Sequence, residues 1–162
     1  MSKIIIVVDK NDNILGYKSP KEMQASDIYR VSASLIKNSK GEFLLAQRVF
    51  TKKHNPGEWS FSVAGTIEKG EDYEGNIIKE TQEEIGIENI EYTKLHKKNI
   101  TGEYNFFCQF YTTILDLDIE EFTIQEEEVE ALRWFSREEI LIGEYEGNPI
   151  SKTLLSEINK FQ

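Results

Sequence analysis

Three glutamates, Glu80, Glu83 and Glu84, stand three and four residues apart in the stretch Lys79-Glu-Thr-Gln-Glu-Glu-Ile85. On a helix those separations bring side chains together, so three carboxylates crowd one patch. Like charges so placed destabilise an isolated helix by about 0.2–0.5 kcal/mol per pair, and a divalent cation reverses the sign of that effect. All-oxygen ligation suits Mg²⁺ or Mn²⁺ and offers neither the imidazoles nor the thiolates of zinc sites. The chemistry open to such a patch is metal-assisted hydrolysis of an anionic phosphorus centre. The ion neutralises charge on oxygen and lowers the pKa of a bound water, and a neighbouring carboxylate takes the proton. A Glu-Glu pair taken alone reads far more readily as a solvated acidic face, so the flanking residues decide.

Those carboxylates need a helix to present them. Asp72 is a plausible N-cap or first-turn acid, and Gly86 stands where glycine ends helices, which predicts a helix over 72–85. At about 100° per residue, Ile78, Thr81 and Ile85 share one side for burial and the glutamates lie beside it. A polar loop over 65–71 feeds this helix. Ahead of it, strands are expected over 3–9 and 14–17 as an opening hairpin, then a short helical turn over 20–25. Strands over 28–37 and 42–49 join through the tight turn Asn38-Ser-Lys-Gly41, and a basic loop over 50–58 precedes a strand over 59–63. Later strands are expected over 90–98, 104–115 and 130–135. Ser136 and Glu139 have capping-box spacing before a short helix from Arg137, and 150–161 has the apolar spacing of a last helix.

From Gly65-Thr-Ile-Glu-Lys-Gly-Glu71 through Lys79-Glu-Thr-Gln-Glu-Glu-Ile-Gly-Ile87 the chain resembles the Nudix box. That pattern runs Gly, five residues, Glu, seven residues, Arg-Glu, an aliphatic residue, any residue, Glu-Glu, any residue, Gly, aliphatic. The resemblance implies Glu83 and Glu84 as principal metal ligands, Glu80 as metal ligand or general base, and the Gly65 carbonyl as a further ligand. It also implies that Glu71 anchors the loop to the helix and that Lys79 and Gly86 serve structural roles. Lys79 departs from the family arginine and loses its planar fork. Thr81 departs from an aliphatic residue, at some cost in apolar burial.

A wider stretch, from Val7 to about Trp134, resembles the isopentenyl diphosphate isomerase branch of the same fold. Its carriers are Val8-Asp9 to Gly16, the strand pair around Asn38 to Arg48, and Lys52-Lys-His-Asn-Pro-Gly-Glu-Trp59. The isomerase needs a cysteine before the box glycine and a histidine after it, where this chain has Ala64 and Thr66. Tyr29-Arg30 stands where an upstream metal-binding histidine is expected, and of a Glu-x-Glu only Glu103 remains, with Asn105 as the second member. Hydrolysis is therefore favoured over isomerisation. In the isomerase the stretch matching Arg48, Lys52 and Lys53 holds phosphates, which makes these three the substrate-binding candidates, against solvated lysines as the plain alternative. Glu126-Glu127-Glu128 resembles the acidic stretch that supplies one more metal ligand or base in many Nudix enzymes, with Glu127 or Glu128 the candidate and a solvated loop the alternative. His54 reads as a bystander in a loop, His96 has no evident partner, and Trp134 reads as core.

At 162 residues and net charge −10, the chain fits one domain, residues 1–162 with the box at 65–87, and repels extended nucleic acid. No apolar run is long enough to span a bilayer, so no membrane association is expected and the cytoplasm is the default location. The lone Cys108 excludes an internal disulfide and reads as a buried, inert thiol. The expected fold is α+β, an α/β/α sandwich of Nudix type with a central mixed β-sheet and an N-terminal β-hairpin extension. The expected activity is Mg²⁺- or Mn²⁺-dependent cleavage of a diphosphate linkage in a small phosphorylated substrate, such as a nucleoside diphosphate linked to a group X. A ligand-binding sensor that keeps the fold without turnover is the reading from another class, and a homodimer stays open beside the monomer.

Overall fold

β3 (Ile28–Lys37) is the axis of the sheet, because its side chains alternate between two apolar faces and both its edges are paired. A computed structural model describes residues 2–161. β3 runs antiparallel to β1 (Ile5–Val8), β4 (Phe43–Arg48) and β6 (Val63–Thr66), and parallel to β8 (Asn105–Ile114). β2 (Ile14–Lys18) extends β1 as the expected hairpin, β5 (Trp59–Ser60) and β9 (Val129–Phe135) flank β4, and β7 (Thr93–Ile100) flanks β8. Among the described residues this is one nine-stranded mixed sheet.

Helices cover both faces. On one side Ala33, Leu35, Phe61, Phe110 and Phe135 pack with Ile140 of α2 (Arg137–Leu141), Leu154 of α3 (Lys152–Glu157), Ile158 and Phe161. On the other, Ile36, Leu44, Val63, Tyr111 and Leu132 pack with Ile77 and Ile85 of α1 (Tyr73–Ile85). Leu35 and Ile36, adjacent in sequence, thus enter different cores, as strand alternation requires. The α/β/α layering and the mixed sheet are as the sequence predicts.

Several local expectations are corrected. The strand expected over 59–63 is two strands, because β3 and β4 pair only at Ile36–Leu44 and Lys37–Phe43 and then diverge. The chain crosses between them at Ser62, whose hydroxyl accepts from Ile36 N and donates to the Leu44 carbonyl, bridging the gap. Gly65 and Thr66, expected in a loop, are strand residues opposite Ser32 and Val31. The last helix is shorter than 150–161: α3 ends at Glu157 and a 3-10 turn, Ile158–Lys160, follows. A small hairpin of β10 (Glu144–Tyr145) and β11 (Asn148–Pro149) has no counterpart in the sequence reading. Ile78 is 39% exposed and Ile77 carries the buried position instead. His96 does have partners, stacking on Phe110 and facing Glu157 at 3.5 Å. Cys108 is buried, and burial pushes its thiol far up, which fits an inert side chain.

The hairpin is held by Asp12, whose carboxylate accepts from Arg30 Nε (2.7 Å), Lys97 Nζ (2.6 Å) and Tyr73 OH (3.0 Å), tying it to β3, β7 and α1. Burial, the largest single influence, pushes the Asp12 carboxyl up, but the hydrogen bonds from Lys97, Arg30 and Tyr73 together hold it below the ordinary range. A carboxyl depressed in this way adds stability above its unfolded value of about 3.9, and that stability is lost as pH falls through the folded value. Asp12→Asn is therefore expected to lower the melting temperature at pH 7 and to reduce its dependence on acid below about pH 4. Melts from pH 7 to pH 3 that show the same acid dependence in both proteins would remove Asp12 from this role.

Candidate active site

The glutamate helix begins and ends where its sequence dictates. Asp72 caps it by accepting from Gly75 N at 2.7 Å, and Gly86, left-handed at φ 73°, closes it through a bond from its N–H to the Gln82 carbonyl. The loop before it is fastened by Glu71, which accepts from Glu68 N (2.9 Å), Asn76 Nδ2 (2.9 Å) and Lys79 Nζ. Lys79 also reaches Glu68 at 3.1 Å, so lysine in place of arginine still joins two carboxylates of the loop to the helix. Asn76, fully buried, donates to the Thr66 carbonyl at 3.2 Å and accepts from the Ser32 hydroxyl, locking α1 to β6 and β3. Sequence periodicity gave no sign of Asn76, since it marks apolar faces and not a buried amide whose partner Ser32 lies 44 residues away. Thr81 is not merely a poorer apolar residue: its hydroxyl donates to the Ile77 carbonyl (2.6 Å) and hydrogen-bonds Tyr92 OH (2.8 Å), which reaches Ser34.

Gly65 lies directly under the helix. A Cβ there would fall 2.4 Å from Glu80 Cγ and 2.7 Å from Glu80 Cδ, so only glycine lets α1 approach this closely. The carboxylates of Glu80, Glu83 and Glu84 then line a cleft of about 620 Å³ together with Glu128, Arg48, Lys52 and Lys3. Glu128 is placed by the end of α1 itself. The Glu84 carbonyl accepts from Gln125 N and the Ile85 carbonyl from Thr123 N, and the turn from Gln125 to Glu128 brings Glu128 alongside. Lys52 Nζ pairs with Glu128 at 2.8 Å. Lys3 comes close because Lys69 N donates to the Ile4 carbonyl, a strand-edge contact with no local sequence signal.

Of the predicted site residues, the structure therefore gathers Gly65, Glu80, Glu83, Glu84, Glu128, Arg48 and Lys52 in one cleft. Lys53 is exposed and does not line it, and Glu127 is exposed beside it. His54 hydrogen-bonds Tyr104 OH at 2.8 Å. Ala64 and Thr66 line the cleft where the isomerase cysteine and histidine would stand, while Glu103 and Asn105 line a separate hollow near Tyr29. Trp134 packs on Phe122 and donates to the Leu117 carbonyl, as a core residue.

Crowding sets the electrostatics. Burial first, then Glu80, Glu128 and Glu83, push the Glu84 carboxyl well above the ordinary range, and burial raises Glu80 as well. This crowding favours the protonated form of a carboxyl in the pair at neutral pH. Among the described residues no three His, Cys, Asp or Glu side chains stand ready-made around one metal position. The donor set nevertheless fits a hard divalent cation. Its donors are all oxygen, and the charge of a bound cation would favour the ionised form of carboxyls that burial has made reluctant to ionise alone.

A smaller lobe of about 170 Å³ opens from the cleft, sharing Arg48, Ala64, Glu84 and Glu128 with it, and is lined further by Gln47, Asn55, Glu58, Ser60 and Phe61.

Comparison with known proteins bears on the family and the fold. The sequence model of the NUDIX domain matches residues 28–157. A Yersinia pestis protein described as an uncharacterized Nudix hydrolase is 24% identical over 155 residues, covering 93% of this chain and 82% of that protein. An isopentenyl-diphosphate Delta-isomerase of Serratia proteamaculans is 34% identical over 87 residues, which is 53% of this chain and 49% of that protein. The crystal structure of DR0079 from Deinococcus radiodurans superposes with a TM-score of 0.83 at 18% identity, covering 99% of this chain and 100% of that one, a likeness of fold. No helix among the described residues is long and apolar enough to cross a membrane.

Proposed function

The chain belongs to the Nudix family, as a hydrolase acting on phosphorus-containing anhydrides, and from that premise we propose that it is a Mg²⁺- or Mn²⁺-dependent pyrophosphohydrolase. Its substrate is a diphosphate-linked small molecule of the nucleoside diphosphate-X kind. The observation that supports this reading is the meeting of five carboxylates, Glu68, Glu80, Glu83, Glu84 and Glu128, with four cationic side chains, Arg48, Lys52, Lys3 and Lys79, in one cleft. Cations bind the phosphate oxygens, and carboxylates hold a metal and move a proton.

Glu83, Glu84 and Glu80, with the Gly65 carbonyl, are the residues that would hold the ion. When bound, the ion supplies charge neutralisation at phosphorus and acidifies water. Arg48 positions the diphosphate: its Nε donates to the His54 carbonyl at 2.6 Å, which fixes the guanidinium beside the cleft. Lys52, tethered to Glu128, supplies a second positive charge. Glu80 lines the cleft beside Glu83 and Glu84, and where it does not hold the ion it is the carboxylate that accepts the proton of the attacking water in this reading. Residues 1–162 act as one catalytic domain in this reading. Isomerisation finds no acid at Ala64, Thr66 or Asn105 to protonate a double bond.

The test is a panel of nucleoside triphosphates, nucleotide sugars, dinucleotides and isoprenoid diphosphates with Mg²⁺ or Mn²⁺, run on wild type and Glu83→Gln. At least one diphosphate is expected to be cleaved by wild type, with loss of turnover in chelator and a drop of roughly 10²-fold or more in Glu83→Gln. Tight binding of one compound without cleavage of any would instead favour a sensor, and interconversion of isoprenoid double bonds without release of phosphate would favour the isomerase.

A further inference from the structure

Two serines lie where α1 covers the sheet. Ser32 and Ser34 of β3 are fully buried on the same face as Ile36, and a hydroxyl so placed must find a hydrogen-bond partner. Both partners lead to the helix. Ser32 bonds directly to Asn76, and Ser34 reaches Thr81 through Tyr92, the residue just before β7. Asn76 and Thr81 are themselves fully buried. Five residues of helix rise about 7.5 Å and two residues of strand about 6.6 Å, so the two links are matched in span and pin α1 to one strand at two points.

The second link has a direction. Thr81 has one hydroxyl proton and gives it to the Ile77 carbonyl at 2.6 Å, so in its 2.8 Å contact with Tyr92 it accepts. The Tyr92 proton is then in use, and at 3.1 Å the phenol oxygen accepts in turn from the Ser34 hydroxyl. Burial pushes the Tyr92 phenol up, which keeps that proton in place. The chain thus runs from Ser34 through Tyr92 and Thr81 to the Ile77 carbonyl, with every hydroxyl donating. Replacing such partners together by apolar groups of the same shape is nearly neutral in stability, so stability does not account for the chain. Direction does: a hydrogen bond weakens steeply off its axis, whereas apolar contact has no axis.

We infer that Thr81 and Tyr92 are positioning residues, and that the hydroxyl chain from Ser34 fixes the rotation of α1 and with it the placing of Glu80, Glu83 and Glu84. The inference rests on the hydrolase reading above for the work those carboxylates do. Thr81 stands between Glu80 and the pair Glu83 and Glu84, so a turn of the helix at this point moves all three. At a side-chain radius of about 5–6 Å, a rotation of about 10° carries a carboxylate about 1 Å, and a misplacement of that size can cost on the order of 10²-fold in rate. Gly65 sets how closely the helix approaches, and the chain sets how it is turned. Tyr92 does this without lining the cleft. The departure of Thr81 from the aliphatic residue of the box thereby has a reason, since an aliphatic side chain would leave the Tyr92 proton without an acceptor.

The hydroxyl and the methyl of Thr81 can be removed separately. Thr81→Val keeps the shape and loses the hydroxyl, and Thr81→Ser keeps the hydroxyl and loses the methyl. Both, with Tyr92→Phe, are compared with wild type at a temperature where melts show every variant folded. Mn²⁺ affinity of the protein alone is read by electron paramagnetic resonance, and kcat and KM on the compound of the panel above that wild type cleaves fastest. Thr81→Val and Tyr92→Phe are expected to lower kcat by roughly 10- to 100-fold and to weaken Mn²⁺ by about tenfold. KM should stay within about threefold, because Arg48 and Lys52 lie on β4 and the loop after it, away from α1. Thr81→Ser is expected within about threefold of wild type in all three quantities. A role in packing alone gives the reverse order, with serine worse than valine, and a bond that only stabilises the fold leaves kcat of the folded variants unmoved. Either result would overturn the inference, as would a wild type that binds no Mn²⁺. The expected order in Mn²⁺ affinity with no cleavage of any compound would uphold the positioning role and overturn the hydrolase reading.

Discussion

Glu84→Gln is expected to lower kcat/KM by roughly 10²- to 10⁴-fold while making the metal-free protein more stable at alkaline pH. The two effects share one cause. Glu84 is half-buried beside Glu80, Glu83 and Glu128, and desolvation first, then those neighbouring charges, raise its carboxyl. A carboxyl raised in the folded state binds its proton more tightly there than in the unfolded chain. Stability is then complete below the unfolded value of about 4.3 and is lost progressively as pH rises towards the folded value. Glutamine has the shape of the protonated acid and no charge to develop, so the variant should lose that slope. It also loses a ligand charge and a proton acceptor, which removes turnover. Melts at pH 6 and pH 9, with and without Mg²⁺, give the discriminating pattern: the cation should raise the wild-type melting temperature, most at pH 9, and leave the variant nearly unmoved. Turnover within about threefold of wild type would take Glu84 out of the catalytic set.

The second large effect is expected at a residue with no side chain. Gly65→Ala places a methyl 2.4 Å from Glu80 Cγ and 2.9 Å from Asn76 Oδ1, closer than atoms can stand. Asn76 is held from three sides, by Ser32, the Thr66 carbonyl and Glu71, so Glu80 or the whole helix must yield. Overpacking of this kind costs about 1–3 kcal/mol. Because a shift of about 1 Å at a catalytic group can cost on the order of 10²-fold, kcat should fall by about that factor even where the protein stays folded. Denaturant unfolding and steady-state kinetics on the same preparation separate the two losses. An alanine variant with wild-type midpoint and rate would show that the helix is free to move away, contrary to the packing described.

How much of this could be read from the chain depended on range. The helix from Tyr73 to Ile85 was legible because Asp72 and Gly86 act on their immediate neighbours. Its buried face was misread by one position, Ile78 for Ile77, because a rotational projection does not say from which direction the sheet approaches. Gly65 and Thr66 looked like loop because glycine is poor in strands, yet the pairing with Ser32 and Val31 overrides that preference. Asn76 and Lys3 carried no signal at all. Asn76 owes its place to Ser32, 44 residues away, as well as to nearer partners, and Lys3 to the pairing of the Ile4 carbonyl with Lys69 N. The box was legible for the opposite reason, since its chemistry is confined to 23 consecutive positions, 65–87.

The hairpin of β1 and β2 lies before residue 28, where the match to the family begins. It is nonetheless stitched to the box loop: Ile6 N donates to the Ile67 carbonyl, Lys69 N to the Ile4 carbonyl, and Ile6 and Val8 cover Ile67 and Phe107. The evolutionary unit and the mechanical unit therefore have different edges. A fragment cut at Ile28 would carry every glutamate of the box, yet the loop that hands Glu68 and Glu71 to Lys79 would lose the strand it leans on, and two apolar side chains would lose their roof. For this chain, the residues outside the family boundary belong to the scaffold of its chemistry.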